Sequence, residues 1–233
     1  MITSLDHLTI GGSAGVYETL LGRRAVDGRL RTGNVGLAFS GGTPGLQSMT
    51  FATGDVAKAA NLLERRTVAV TREGDTLALT GHGVAITLAA RSSDAPSPFS
   101  DDEAACVSAL DHVVVRTPNP ERAIAFYAGR LGLDLRLDRS NEKWGARLLF
   151  FRCGDLVVEI AHDLKKGVSD APDQLWGLSW RVPDVAKAHA RLTAAGLDVS
   201  APRDGRRPGS HVFSVKNKTE GVPTLVIGGI GRW

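Results

Sequence analysis

The sequence is poor in cysteine, with only Cys106 and Cys153 among 233 residues. Two isolated cysteines provide neither a disulfide framework nor the paired spacing of a zinc site. We therefore expect both to be free, buried thiols in a reducing compartment.

Long apolar runs are also absent. Charged residues or glycine interrupt every candidate, so no segment reaches the roughly 20 apolar residues that a transmembrane helix needs. The first residues do not combine a basic and an apolar segment as a secretion signal does. These absences predict a cytoplasmic protein without a membrane partner, and an apolar content of 42% is sufficient for a packed core.

Neither sign of charge dominates, since the formal net charge is +3. The basic residues are scattered rather than interleaved with stacking aromatics, so we predict no nucleic-acid partner. The densest basic run, residues 203–207, lies in a Pro- and Gly-rich loop. Such a run is typical of a solvated loop, and the alternative is a basic flap over an anionic small molecule.

The sequence does contain an internal repeat. Leu-Asp-His-Leu-Thr-Ile at 5–10 returns as Leu-Asp-His-Val-Val-Val at 110–115, and Asp-Val-Ala-Lys-Ala at 55–59 recurs at 184–188. The two motifs keep the same order in each half, which indicates a duplication with four units in two pairs. Residues 92–105 are polar and Pro-rich, and they predict a linker between residues 1–91 and 106–233.

In the second half, the pattern predicts a strand at 109–116, a helix beginning after Asn119, and strands at 134–139, 146–153 and 155–161. The same order returns from residue 177, with a helix over 184–195. The first half repeats it more weakly, with an abbreviated first unit that includes a strand near 24–30. Each unit therefore has the order βαβββ, which predicts an α+β fold.

Four βαβββ units, opening in Leu-Asp-His, resemble the vicinal oxygen chelate superfamily. That group includes glyoxalase I, extradiol dioxygenases, methylmalonyl-CoA epimerase, and fosfomycin and bleomycin resistance proteins. The resemblance is strongest over 108–228, and the first half is similar to degenerate glyoxalase-like domains. It implies four βαβββ modules arranged as two curved mixed-sheet domains, and it is weak evidence for function because function depends on the site and not on the fold.

The resemblance also implies a metal in the cup of each sheet, held by the first and last strands of each unit. His112 and Glu159 occupy these positions in the third unit and are the predicted metal ligands, for Fe, Mn, Zn or Ni. Gly177 and Leu225 occupy them in the fourth unit and cannot bind a metal. A zinc or iron centre normally has three protein ligands, so half of the expected site is missing, and the protein otherwise needs no cofactor.

The first half offers His7 at the opening position, but Ser48 and Thr87 at the others. His211 opens a later strand, and we predict it as a third ligand or an acid–base group if its face looks into the cup. Glu159 lies in an apolar strand, so its carboxylate needs a partner, with His112, Arg147, Arg181 and a metal as candidates.

Aromatic and basic residues of the second half suggest the ligand. Trp144, Trp176 and Trp180, with Arg147 and Arg181, are predicted to bind a small aromatic or anionic molecule. The alternative for each aromatic residue is a place in the core. The even spacing of Trp176 and Trp180 predicts that they share one face of a strand.

Two function classes follow. The first is a lyase, isomerase or dioxygenase, with His112, Glu159 and His211 as catalytic candidates around a divalent metal, or with His112 and Glu159 as a metal-free acid–base pair. The second is a non-catalytic protein of the bleomycin-resistance type, which sequesters a small molecule and has a relic metal site. The sequence leaves both classes open, together with homodimerisation.

Overall fold

The computed structural model describes residues 2–229. Within them, the strands form two mixed sheets, one in each half, with helices packed on one face of each sheet. This architecture confirms the predicted α+β class. None of the helices in this part of the chain has the length and apolar character needed to cross a membrane.

The first sheet has seven strands and two helices within the described part of the chain. The strand order is β2-β3-β1-β4-β7-β6-β5. Its elements are β1 (Ile2–Gly11), α1 (Ala14–Leu21), β2 (Leu30–Arg31), β3 (Gly36–Phe39), β4 (Gly45–Thr53), α2 (Val56–Arg65), β5 (Thr71–Glu73), β6 (Thr76–Gly81) and β7 (Val84–Ala89). The first unit is abbreviated as predicted, but the strand expected near 24–30 is reduced to Leu30–Arg31.

The second sheet has eight strands among the described residues, in the order β13-β14-β15-β12-β8-β11-β10-β9. Its third unit comprises β8 (Ala109–Arg116), α3 (Pro120–Ile124), which continues as a π-helical turn over Ala125–Arg130, β9 (Asp134–Asn141), β10 (Ala146–Cys153) and β11 (Leu156–Asp163). The fourth comprises β12 (Gln174–Arg181), α4 (Val185–Ala194), β13 (Arg203–Asp204), β14 (His211–Val215) and β15 (Thr224–Gly228).

The repeated Asp-Val-Ala-Lys-Ala segment begins a helix in both halves. Asp55 accepts a hydrogen bond from the backbone N–H of Lys58 at 2.9 Å, and Asp184 accepts one from that of Lys187 at 3.0 Å. Each carboxylate therefore satisfies a helix N–H that has no partner within the helix. The repeat is thus a helix-capping motif at equivalent points of the two halves.

The predicted linker is bound closely to the first half. Ser97 exchanges hydrogen bonds with the backbone of Arg31, and its carbonyl accepts one from the Arg23 guanidinium. Phe99 lies under the same guanidinium, 3.9 Å from ring centroid to Cζ. A division of the chain at residues 92–105 stays a prediction.

Cys106 and Cys153 are free and buried, as expected.

The two halves share one core, because a single cluster of buried apolar side chains runs from Leu5 in β1 to Val226 in β15. Arg191 of α4 reinforces this contact. Its guanidinium donates to the carbonyls of Thr19 and Leu20, at the end of α1, at 2.7 and 2.9 Å, and to that of Ala105 at 3.1 Å. A cation at a helix C-terminus also has a favourable interaction with the helix dipole.

We expect Arg191→Gln to lower the free energy of unfolding by about 2 kcal/mol, because three carbonyls lose a charged donor. Lys187→Gln is the matched control on the same helix, since Lys187 forms an exposed ion pair with Asp102. Urea unfolding of both variants measures the difference. Equal stability of the two variants would show that Arg191 does not hold the halves together.

Candidate active site

The Asp-His motif lies at an irregularity of the β8–β12 pairing. Ser179 pairs with His112 and Trp180 with Leu110, so Asp111 is an extra residue in β8. A bulge of this kind interrupts the alternation of side chains, and here the carboxylate of Asp111 and the ring of His112 meet. Asp111 Oδ2 is 2.9 Å from His112 Nδ1.

This contact determines which ring nitrogen of His112 is available. An ionised carboxylate can only accept hydrogen bonds, so Nδ1 carries the hydrogen that Asp111 accepts. The other nitrogen, Nε2, lies 3.6 Å from Oε2 of Glu159 on β11. The side chains of His112 and Glu159 are 17% and 14% exposed, so the pair is largely shielded from water. Among the residues that the sequence suggested as partners of Glu159, namely His112, Arg147 and Arg181, His112 is the one at this distance.

The face of the second sheet that carries His112 and Glu159 is called the cup face below. Burial lowers the pKa of His112, but the hydrogen bond to Asp111 and the negative charges of Glu159 and Asp111 outweigh this effect. The net result is a pKa above the ordinary value of 6.5. The protonated imidazole is therefore favoured.

Two guanidinium groups lie beside Asp111. Nε of Arg181 is 3.7 Å from Asp111 Oδ1, and its Nη2 donates to the carbonyls of Leu110 and Asp155. Nη1 of Arg207 is 3.9 Å from the same Oδ1. Because Asp111 is 1% exposed, these cations and His112 offset the cost of burying its charge. The predicted ligand-binding residue Arg181 thus contacts Asp111.

Arg207 belongs to the basic loop at 203–210, which extends over the cup face. The loop begins at the edge of the sheet formed by β13, and Arg207 reaches Asp111 on the central strand β8. The Arg206 guanidinium stacks on the ring of Trp144, 4.1 Å from its centroid, in the turn between β9 and β10 at the opposite edge. The loop thus lies over the cup face, as the alternative to a solvated loop requires, and residues 203–210 are called the flap below.

Ser179 on β12 pairs with His112 on the neighbouring strand β8, and it is 1% exposed. Its Oγ has no hydrogen-bond partner among the described residues. A buried hydroxyl without a partner costs free energy, and such groups often await a ligand or water. Ser179 is thus a further polar group of the site, and the sequence analysis did not identify it.

The fourth unit does not complete a metal site. Gly177 faces Val114 across the sheet, and a Cβ added to it would lie 2.8 Å from the carbonyl oxygen of Pro223. Any side chain there would therefore displace backbone. Leu225 is apolar, and residues 2–229 contain no group of three or more His, Cys, Asp or Glu that could hold a metal ion. His112 and Glu159 alone fall short of the three ligands of a catalytic zinc or facial iron site.

The first half contains the same bulge without the same chemistry. Asp6 is the extra residue of β1, and its Oδ2 lies 2.6 Å from Nδ1 of His7. Arg31 supplies the neighbouring guanidinium, at 3.2 Å from Asp6. The ring of His7 lies against Gly36, and Thr50 and Thr87 occupy the neighbouring strands. His7 thus shows the Asp-His pair in a structural role, without an acidic partner at Nε2 among the described residues.

His211 does not join the site. Val212 pairs with Ile227, while Phe213 and Val215 of β14 belong to the core, so alternation places His211 on the core side of the strand and not on the cup face. Its imidazole is 58% exposed and lies 3.2 Å from Asp204. The condition under which His211 was predicted to be a third ligand or an acid–base group, a strand face that looks into the cup, is therefore not met.

Of the predicted ligand-binding residues, Arg147 and Trp180 lie away from the cup face, whereas Trp144 and Trp176 are partly exposed. Arg147 binds Asp138 and Glu121, a residue of α3, so it belongs to the helix side of the sheet and not to the cup. Trp180 is fully buried in the core. Trp144 and Trp176 are 40% and 37% exposed.

Trp176 and Trp180 do not share a face, contrary to the prediction from their spacing. A register shift between Leu175 and Gly177 reverses the alternation in β12. Leu175 consequently packs against the core like Leu178, and Trp176 turns towards the cup face, where the Arg116 guanidinium lies 4.1 Å from its ring centroid. Bulges of this kind leave no reliable trace in a single sequence.

Comparisons with known proteins concern the fold and the family. Residues 111–213 match the family described as Glyoxalase/Bleomycin resistance protein/Dioxygenase superfamily. The crystal structure of a halotolerant catechol dioxygenase is similar over 100% of this chain and 89% of its own, with a TM-score of 0.77 and 14% identity. At this identity the similarity shows the fold alone.

Two methylmalonyl-CoA epimerases also have similar structures. The one from Mycobacterium tuberculosis covers 54% of this chain and 90% of its own, with 20% identity and a TM-score of 0.46. The one from Streptomyces coelicolor, in a complex with 2-nitronate-propionyl-CoA, covers 54% and 99%, with 16% identity and a TM-score of 0.46. No protein of curated function matches the sequence.

The raised pKa of His112 predicts a pH-dependent contribution to stability. A group whose pKa is higher in the folded state stabilises the fold fully below its unfolded pKa, and this contribution is lost as the pH rises through the folded pKa. The difference in unfolding free energy between the wild type and His112→Gln should therefore decrease between pH 6 and pH 9. Urea unfolding across this range measures it.

Glu159→Gln provides the control for this measurement. It removes one of the charges that raise the pKa of His112, so the pH at which the stabilisation is lost should move down in this background. A difference between wild type and His112→Gln that is independent of pH would contradict the assignment of a protonated His112.

Proposed function

Because its residues 111–213 belong to the glyoxalase, bleomycin resistance protein and dioxygenase superfamily, we propose that this protein binds a small organic anion at the cup of its second half and catalyses a proton transfer on it without a metal. The reaction is of the isomerase, epimerase or lyase type. The observation that carries the proposal is the contact of His112 Nε2 with Glu159, in a histidine oriented by Asp111.

The chemistry follows from the protonated state that His112 favours. With His112 protonated and Glu159 ionised, the carboxylate is the base and the imidazolium is the acid. Glu159 removes a proton from the carbon next to a substrate carbonyl or carboxylate. The Nε2–H of His112 donates to the substrate oxygen on which negative charge develops, and Asp111 stabilises the imidazolium.

The proton on Glu159 has three possible destinations. Return to the opposite face of the same carbon gives the epimer, and return to a different carbon gives an isomer. In an elimination, the leaving group departs from the neighbouring carbon with the bonding electrons and takes up the proton from Glu159, which gives an alkene. The pair is regenerated in all three cases without a change of oxidation state, so no redox partner is needed. Ser179, beside His112, is placed to hydrogen-bond the same substrate oxygen.

The donor set does not fit a resident metal, and no step is assigned to one. A third ligand from the fourth unit would have to come from Gly177 or Leu225, and the first is closed to side chains by the Pro223 carbonyl. Nε2 of His112, which faces Glu159, can take part in proton transfer with groups that the chain itself supplies.

The flap accounts for the anionic ligand class. Arg207 brings a cation to the same buried group as Arg181, so two guanidinium groups lie beside Asp111 when the flap is closed. A ligand enters when this loop lifts, and closure then excludes water from the pair. Loop closure over a reactive pair is a common device in enzymes.

We expect the protein to accelerate hydrogen exchange at the carbon next to the carbonyl of 2-oxo acids, with 2-oxobutyrate and phenylpyruvate as probes in D2O followed by proton NMR. His112→Gln and Glu159→Gln should each lower the exchange rate by about 100-fold or more. The rate should fall as the pH rises through the raised pKa of His112, because the acid is then lost.

His7→Gln and His211→Gln are the matched controls and should leave the rate unchanged, since one histidine has a structural role and the other lies on the core side of its strand. Saturable binding of both probes without exchange would contradict the catalytic proposal and indicate a sequestering protein instead.

We also expect that wild-type protein purified without chelator contains far less than one equivalent of Fe, Mn, Zn or Ni by elemental analysis, because two donors hold a divalent ion weakly. Exchange activity should survive dialysis against a chelator. Near-stoichiometric metal that both His112→Ala and Glu159→Ala abolish would show that a metal centre forms, and that the acid–base interpretation is wrong.

A further inference from the structure

Three arginines at one end of the cup face have no carboxylate partner among the described residues. These are Arg116 on β8, Arg139 on β9 and Arg206 of the flap. Each guanidinium lies over an exposed tryptophan instead, Arg116 over Trp176 and the other two over Trp144. These five residues are called the arginine collar below.

The strand register fixes where the collar lies. Arg116 pairs with Ala161, Ala161 with Leu148, and Leu148 with Arg139, so these four residues form one row across β8, β11, β10 and β9. At the usual spacing of strands, the Cα atoms of Arg116 and Arg139, at the two ends of the row, are about 14 Å apart. The floor between them consists of the small Ala161 and the apolar Leu148.

A second row of paired residues contains Glu159 and crosses the same four strands. It consists of Val114, Glu159, Phe150 and Leu137, and each of these residues is two positions away from the collar-row residue on its own strand. The collar row is therefore about 7 Å from the Glu159 row on the same face. A ligand held at His112 and Glu159 would extend over Phe150 and Leu148 towards the collar.

Two other arginines of β9 and β10 have carboxylate partners, which distinguishes them from the arginines of the collar. Arg147 binds Asp138 and Glu121, and Arg136 binds Asp134. The turn that carries Trp144 contains one acidic and one basic residue, Glu142 and Lys143, so it does not cancel the charge of the collar. A guanidinium group that stacks on an aromatic ring keeps its N–H donors available, because they point outwards in the plane of the guanidinium group.

We propose that the arginine collar binds a second anionic group of the ligand, so that the substrate is a dianion with an apolar or aromatic body between its two charged ends. This inference rests on the proposed function, since it places the first charged end at His112 and Glu159. The body lies on Phe150, Leu148 and Ala161, and the carboxylate or phosphate at the far end lies between the two ends of the collar row, where it accepts hydrogen bonds from both Arg116 and Arg139.

The test compares terephthalate with benzoate, which have the same ring and differ by one carboxylate on its far side. Isothermal titration calorimetry of the full-length protein at constant ionic strength measures both affinities. We expect terephthalate to bind about tenfold more tightly than benzoate, because guanidinium–carboxylate hydrogen bonds are charge-assisted.

Arg116→Gln and Arg139→Gln test the residues. Each should weaken terephthalate binding by about fivefold while benzoate binding changes by less than about twofold, since only terephthalate reaches the collar. Arg136→Gln is the matched control on the same strand as Arg139, and it should change neither affinity. These side chains are exposed, so the variants should fold, and a circular dichroism melt verifies this.

The outcomes separate this inference from the proposed function. Equal affinity for the two probes, equal losses for both in the collar variants, or no saturable binding of either would overturn the second-anion site. A preference for terephthalate that depends on the collar supports it even if hydrogen exchange is absent. Exchange activity without that preference would leave the acid–base pair in place and reject the collar alone.

Discussion

The bulge at Asp111 is the constraint on which the site depends. A regular strand would place Asp111 and His112 on opposite faces, and the carboxylate would then be buried in the apolar core without an imidazole. The extra residue instead brings the two side chains together at 2.9 Å. This contact determines which ring nitrogen faces Glu159, and it raises the pKa of His112. The buried carboxylate of Asp111 also lies 3.7 and 3.9 Å from the guanidinium groups of Arg181 and Arg207.

The first half separates the structural and the chemical parts of this arrangement. Asp6, His7 and Arg31 reproduce the bulge, the short contact and the guanidinium, yet no carboxylate faces the free nitrogen of His7 among the described residues. The repeated motif therefore has a packing role that requires no ligand. What distinguishes the second half is Glu159 on the adjoining strand, and a functional interpretation of the motif needs that second residue.

The fold was predictable because its signals are local. The repeat, the capping Asp55 and Asp184, and the apolar alternation of the strands were sufficient for the α+β class, and the resemblance to the vicinal oxygen chelate superfamily is confirmed by the match over residues 111–213. The pairing of His112 with Glu159 was predictable as well, since both follow from strand positions within one unit.

The parts of the site that sequence reasoning missed depend on register and on tertiary contacts. The irregularity in β12 reverses the faces of Trp176 and Trp180, and a single sequence does not show where a ladder slips. The face of His211 was left open for a related reason, since only the core contacts of Phe213 define the orientation of β14. Arg207 lies far from His112 in the chain, and only the path of the flap brings it to Asp111.

The balance of charge around the pair explains why a basic flap and a protonated histidine belong together. Asp111, Glu159 and Asp155 contribute three negative charges, and Arg181 and Arg207 contribute two positive ones. A protonated His112 therefore balances these charges when the flap is closed. If the flap lifts, Arg207 leaves and one net negative charge remains, which repels an anionic ligand, so closure and anion binding favour each other. The two guanidinium groups and the imidazolium oppose the binding of a divalent cation at Glu159, which agrees with the missing third ligand.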